Sequence, residues 1–208
     1  MRAPRGWPIV GWAAAALAAM LGAIFAAEGT GPGALALAVR ATARTSVTLF
    51  SLAFLAASLR RAWPSRATAW LLGNRRQVGV SFALSHFAHL LVLLALCGWS
   101  VGGVIDRAGI VTVLLGGVGY LFLAAMTATS FDRSAAWLGP ARWKRLHTTG
   151  VYYLWLVFFL TFASRAASSL VYASLALALL AVLAFRFAGP SIVQRLRSPG
   201  AASAGAGS

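Results

Sequence analysis

Six stretches of the sequence are apolar for long enough to cross a bilayer, and no other feature constrains the fold as tightly. They cover residues 7–27, 46–59 (extended backwards through 35–45), 78–98, 110–130, 146–164 and 168–188. A hydrocarbon core of ~30 Å asks for about 20 such residues per helix, and a helix satisfies its own backbone polar groups where water cannot. Only 10% of the 208 residues are charged, against about 25% in soluble domains. The expected fold is therefore all-α: a polytopic membrane protein, a six-helix transmembrane bundle over residues 1–192 with lipid around it. The second stretch carries the weakest signal, because Arg40 and Arg44 interrupt its first half. No internal repeat and no separate soluble domain is visible. The final residues, 193–208, end in "SPGAASAGAGS", a Gly/Ala/Ser composition expected to be a disordered tail.

The net charge of +15 would point to nucleic acid in a soluble chain, but its distribution argues for topology. With the N-terminus placed in the cytoplasm, Arg2, Arg5, Arg60, Arg61, Arg66, Arg75, Arg76, Arg133, Arg142, Lys144, Arg145, Arg186, Arg195 and Arg197 fall inside. Only Arg40, Arg44, Arg107 and Arg165 fall outside. This is the positive-inside pattern, with both termini cytoplasmic and no nucleic-acid partner implied. The first stretch has the basic start of a signal peptide, yet its apolar run is long for one, and it is expected to be retained.

The polar inventory excludes much chemistry. The acidic residues are Glu28, Asp106 and Asp132, all at helix ends or in loops. Proton-coupled transporters place carboxylates within their spans, and none is placed there here. Paired-carboxylate hydrolysis and a Ser-His-Asp triad are excluded on the same ground. The lone Cys97 rules out an internal disulfide or a cysteine-ligated cluster within one chain. Chemistry, if present, must come from a bound cofactor.

Three histidines remain: His86, His89 and His147. The spacing in "SHFAH" puts His86 and His89 on one helix face, one turn apart. His147 stands at the start of the fifth stretch, which runs in the same direction as the third. The two helices can thus face a common slot. Neutral imidazole ligates haem iron, and bundles build such sites from facing helices. The plain alternative is polar glue between helices. Depth along the chain separates the candidates. His86 lies ten residues past Arg76, ~15 Å along a helix, whereas His147 lies two past Arg145, ~3 Å. Snorkelling arginines mark depth only loosely.

"RRQVGVSFALSHFAHL", followed by "TS…WLGPARWKRLHTTGVYY", resembles the ferric-reductase-like transmembrane domain family. That family includes the haem-binding membrane subunit of the bacterial methionine sulfoxide reductase system. The likeness spans about residues 35–165. It is carried by Arg75, Arg76, Gly79 and His89, by Trp143, Lys144, Leu146, His147 and Tyr152, and by Thr129-Ser130 and Leu138-Gly139. It implies a six-helix haem b protein in a bacterial-type inner (cytoplasmic) membrane, acting in electron transport as an oxidoreductase subunit. The axial iron ligands would be His147 with one of His86 and His89. Members with two stacked haems carry a second histidine 13 or 14 positions on; here those positions hold Leu160 and Thr161, or Ser100 and Val101. One haem b is therefore expected.

Arg75, Arg76, Lys144 and Arg145 flank both ligand helices and are candidate partners of the haem propionates. Simple anchoring would place them there as well. A quinone is a further possible cofactor. Gly79, Gly116, Gly117 and Gly119 would permit close approach of helices. No Gly-rich dinucleotide loop follows the last stretch, so electrons are expected from a membrane quinol or a separate flavoprotein. The acceptor would be a periplasmic partner or a metal. Two other readings stay open: a histidine-based transition-metal transport protein, and a cofactor-free membrane scaffold or partner subunit.

Overall fold

The computed structural model describes residues 5–197, and among them there are nine helices and no strand: α1 (Pro8–Glu28), α2 (Pro32–Ala62), α3 (Arg66–Gly73), α4 (Arg75–Leu96), α5 (Val101–Ala108), α6 (Ile110–Ala128), α7 (Asp132–Leu138), α8 (Pro140–Ala163) and α9 (Leu170–Arg197). Six of these, α1, α2, α4, α6, α8 and α9, are long and apolar enough to cross a membrane. The protein is a multi-pass membrane bundle with lipid as its natural surroundings. Tail residues 198–208 and Arg2 lie outside the described residues. Helix α9 continues to Arg197, five residues beyond the boundary expected at 192.

Why these helices stop where they do is legible locally. Gly109 and Gly139 take φ of 80° and 79°, a conformation that costs glycine little and other residues more. Each glycine closes one short helix and opens a long one, so α5 turns sharply into α6 and α7 into α8. Pro140 follows at the first position of α8, where its missing N–H has no helical partner to lose. Ser65 caps α3 reciprocally with Thr68.

Antiparallel register fixes depth across the bundle. Helix α4 runs back along α2, pairing Ser85 with Ser46 (Oγ–Oγ 3.0 Å) and Arg75 Nε with the Ala53 carbonyl (3.0 Å). The contact is close because α2 turns small residues to it at four-residue intervals: Ala34, Ala38, Thr42 and Ser46, all buried. Buried Ser81 and Ser85 meet them from α4. Such small-residue seams let membrane helices approach without large side chains. Helix α2 is unbroken through Arg40 and Arg44; its less apolar half is the half that faces polar partners and a cavity.

Helices α6 and α8 meet similarly, but at a glycine other than those expected. A Cβ on Gly150 would collide with Met126, whereas Gly119 has only ordinary contact room against Leu154. Gly79, Gly116 and Gly117 face open space. The close approach is therefore made at Gly150.

The core is aromatic. Phe50, Phe54, Phe82, Leu123, Leu154, Phe158 and Leu179 are buried between α2, α4, α6, α8 and α9. Phe50 touches Phe54, Phe82 and Phe158 at centroid distances of 5.4–5.5 Å. Arg186 locks α9 to this core. Its guanidinium lies over the Phe54 ring at 4.1 Å, and its Nε donates to the Tyr152 hydroxyl at 3.1 Å. It also donates to the Phe54 carbonyl, while its own carbonyl accepts from Ser58.

Candidate cofactor cavity

His86 and His89 share the face of α4 that the sequence spacing dictates, and their rings stack at 5.4 Å, 8° from parallel. Tyr120 of α6 also stacks with His86, at 4.9 Å and 16°. The Tyr120 hydroxyl donates to the His86 carbonyl at 3.1 Å. Phe158 of α8 closes edge-on against His86 at 5.1 Å. Three helices thus hold a column of three rings.

The hydrogen bonds of His89 fix which nitrogen is free. Its Nδ1 lies 3.1 Å from the Val39 carbonyl oxygen and 3.1 Å from Thr42 Oγ1. A carbonyl can only accept, so Nδ1 carries the proton. The Thr42 hydroxyl hydrogen is committed to the Ala38 carbonyl at 2.8 Å, leaving its oxygen to accept from the same Nδ1–H. Nε2 then keeps its lone pair and has no hydrogen-bond partner among the described residues. An Nδ1–H bonded to a backbone carbonyl is the usual support behind a metal-binding imidazole, because it sets the tautomer and raises the basicity of Nε2. His86 is left less satisfied: its Nδ1 is buried with no partner. An orphaned buried polar atom costs about 1–3 kcal/mol, which makes it unusual in a folded protein.

Both histidines line a cavity of about 610 Å³, within the 300–1,000 Å³ typical of ligand sites. Its walls are mainly apolar, including Leu90, Leu93, Val113, Leu154, Val157 and Phe158, and Gly116 and Gly117 leave room where a side chain would fill it. Arg40, Arg44, Arg107 and Arg165 line it too. These are the same four basic residues that the charge pattern sets on one side of the membrane, and the structure brings them to one cavity.

The cavity reaches the middle of the apolar slab. Helices α4 and α6 have 22 and 19 residues, or ~33 and ~28 Å, close to one hydrocarbon thickness. His86 and Tyr120 stand near the midpoints of these helices. Arg44 lies between Thr42 and Ser46, both of which touch α4 at this level. A charge at such depth is costly, about 3 kcal/mol on insertion scales, and normally faces a cavity or a partner. Among the described residues the one ion pair is Arg76–Asp132, 2.6 Å, at the other end of the molecule. No carboxylate neutralises the four cavity arginines.

His147 is elsewhere. It precedes Phe158 by eleven residues on α8, ~16 Å along the axis, and Phe158 is the residue of α8 in ring contact with His86. His147 stacks on Trp143 at 4.1 Å, and its Nε2 lies 3.0 Å from Thr129 Oγ1. Trp143 Nε1 donates to the Thr129 carbonyl at 2.9 Å. Thr129, Trp143 and His147 therefore form a clasp holding the end of α6 to the start of α8. The structure does not bring His147 to His86 or His89, so the expected clamp of one iron between α4 and α8 is not formed. Nor can the stacked pair supply it, since both imidazoles lie on one side. Among the described residues no three His, Cys, Asp or Glu side chains converge on a possible metal position.

The four basic candidates stay with the His147 end. Arg75 donates to the Ala53 carbonyl, Arg76 pairs with Asp132, and Lys144 and Arg145 are exposed. None lines the histidine cavity. Sequence reasoning missed Tyr120, Val39, Thr42 and the convergence of the four arginines. Only the charge of Arg40 and Arg44 inside an apolar run signalled any of this.

Fold and cavity together define a multi-pass membrane bundle with a histidine-lined, arginine-rimmed cavity at mid-depth. Comparison with known protein families, with curated proteins and with solved structures returns no match to any of them.

Proposed function

We propose that the protein is a membrane b-type haem protein that carries electrons from a quinol or a separate flavoprotein towards a periplasmic or metal acceptor. The observation that supports this most is His89. Its Nδ1–H is fixed by the Val39 carbonyl, and its Nε2 lone pair is free beside a cavity of cofactor size. The motif resemblance to ferric-reductase-like membrane domains supports the same reading.

The residues present fit the group with one protein ligand rather than two. His89 would hold the iron, the His86–Tyr120 column would buttress the ligand helix, and the apolar walls suit a porphyrin. When bound, haem supplies one-electron chemistry at its iron. The chain's own part is to orient the imidazole, keep water from the apolar walls and seat charged substituents among the arginines. His147 takes no part in this version of the site.

The test is a dithionite-reduced minus oxidised spectrum of protein purified in mild detergent, with a pyridine haemochrome count. About one b-type haem per chain is expected, lost in His89→Ala and kept in His147→Ala. Folded protein expressed with ample haem that shows no haem signal overturns the proposal. Loss in His147→Ala alone moves the haem to the clasp.

A further inference from the structure

The four arginines of the cavity demand an account that holds whether or not haem is the ligand. Arg186 shows what a satisfied arginine inside this bundle looks like: a ring beneath it, a hydroxyl and a carbonyl in reach. The side chains of Arg40, Arg44 and Arg107 make no hydrogen bond among the described residues. Arg165 makes one, from Nη1 to the Thr161 carbonyl at 3.1 Å. Glu28 and Asp106, the acids nearest in the chain, pair with none of them within 4 Å. Arg40, Arg44 and Arg107 are exposed and Arg165 is half-buried; like charges around one cavity repel one another, and no acid among the described residues pairs with them.

We infer that the cavity is a binding site for an anionic amphiphile, a molecule with an apolar body and carboxylate or phosphate oxygens. The body lies against Leu90, Val113, Val157 and Phe158. The oxyanions meet the guanidiniums, whose forked donors suit both groups. Polarity follows from depth: the apolar part points towards the His86–Tyr120 column, and the charged part towards the end of the bundle where Arg107 and Arg165 lie. Two sources share this chemistry, haem through its propionates and an anionic phospholipid through its phosphate. The inference does not rest on the haem reading.

The experiment titrates the full chain in neutral detergent with four probes and reads the thermal unfolding midpoint. The probes are haemin, haemin dimethyl ester, dioleoyl phosphatidylglycerol and dioleoyl phosphatidylcholine. A charged probe is expected to raise the midpoint at concentrations about tenfold or more below its uncharged or zwitterionic counterpart. In the double variant Arg40→Gln/Arg44→Gln that preference disappears, and the ligand-free midpoint stays near wild type because no protein contact is lost. If this variant does not fold, Arg107→Gln serves in its place. Equal stabilisation by charged and neutral counterparts, a preference that survives the arginine substitutions, or no binding of any probe overturns the inference. A preference within the haemin pair alone names haem as the source, and one within the lipid pair alone names the phospholipid. Haem-free protein that prefers phosphatidylglycerol retires the haem reading and keeps this one. Haem bound with no regard to esterification does the reverse.

Discussion

His147 and His89 each rest on a threonine hydroxyl, at 3.0 and 3.1 Å, and in both cases the threonine's own hydrogen goes to its helix backbone. Thr129 donates to Ala125 and Thr42 to Ala38. Each threonine must then accept from the imidazole. The difference is the nitrogen used. At the clasp the outer nitrogen, Nε2, is spent on Thr129, and Trp143 covers the ring face. At the cavity the inner nitrogen, Nδ1, is spent on Thr42 and Val39, and the tip is left free. One hydrogen bond ties a helix end; the other leaves Nε2 unengaged beside a cavity. Residue type alone does not separate these two histidines, and the nitrogen that the protein consumes does.

The sharpest way to break this contrast is to delete each ring. His89→Ala is expected to abolish haem binding and His147→Ala to leave its stoichiometry unchanged, read by haemochrome; the opposite pattern would exchange the roles of the two ends. The second largest effect concerns the arginines. Arg186→Met strips hydrogen bonds and a cation–π contact from the core, so unfolding stability in detergent should fall by about 3 kcal/mol. Arg44→Gln should cost no measurable stability in ligand-free protein. A large loss in Arg44→Gln would show that a protein contact holds that side chain.

Smaller effects follow from the threonines. Thr129→Val and Thr42→Val each remove one hydrogen bond to a histidine, worth about 1 kcal/mol. If haem is held as proposed, only Thr42→Val should alter its spectrum, because Thr42 is the threonine that touches the His89 imidazole. Smallest of all, Arg76→Gln breaks an exposed ion pair with Asp132 and should cost at most about 1 kcal/mol, less at high salt. The measurement is the same unfolding midpoint with and without added salt.

What could be read from the chain was what is encoded locally. Twenty apolar residues make a span whatever lies beside them, so all six were visible, and so was the shared face of His86 and His89. The weakest of the six signals was the first half of α2, where Arg40 and Arg44 line a cavity, and that half is helical as expected. What could not be read was register. The pairing of His147 with His86 needed two parallel helices to be level, and the ~15 Å and ~3 Å offsets from their arginines already pointed otherwise. Packing kept that offset. Tyr120, Val39 and the arginines of α5 and the α8–α9 turn reach the site only through helix-to-helix placement, which no spacing in the sequence specifies. Gly150 was missed for the same reason: its partner, Met126, is on another helix.

The aromatic core has a consequence for permeation. From His86 the contacts pass to Phe158, Phe50, Phe54 and Tyr152, each step between 5.1 and 5.6 Å. The ring chain itself carries no polar group before Tyr152, but Arg186 lies over its Phe54 ring at 4.1 Å and binds the Tyr152 hydroxyl. A hydrated ion meeting bare phenylalanine rings would have to shed water at a cost that these rings do not repay. The same rings that close the cavity on the His86 side also carry the contact that holds α9 through Arg186.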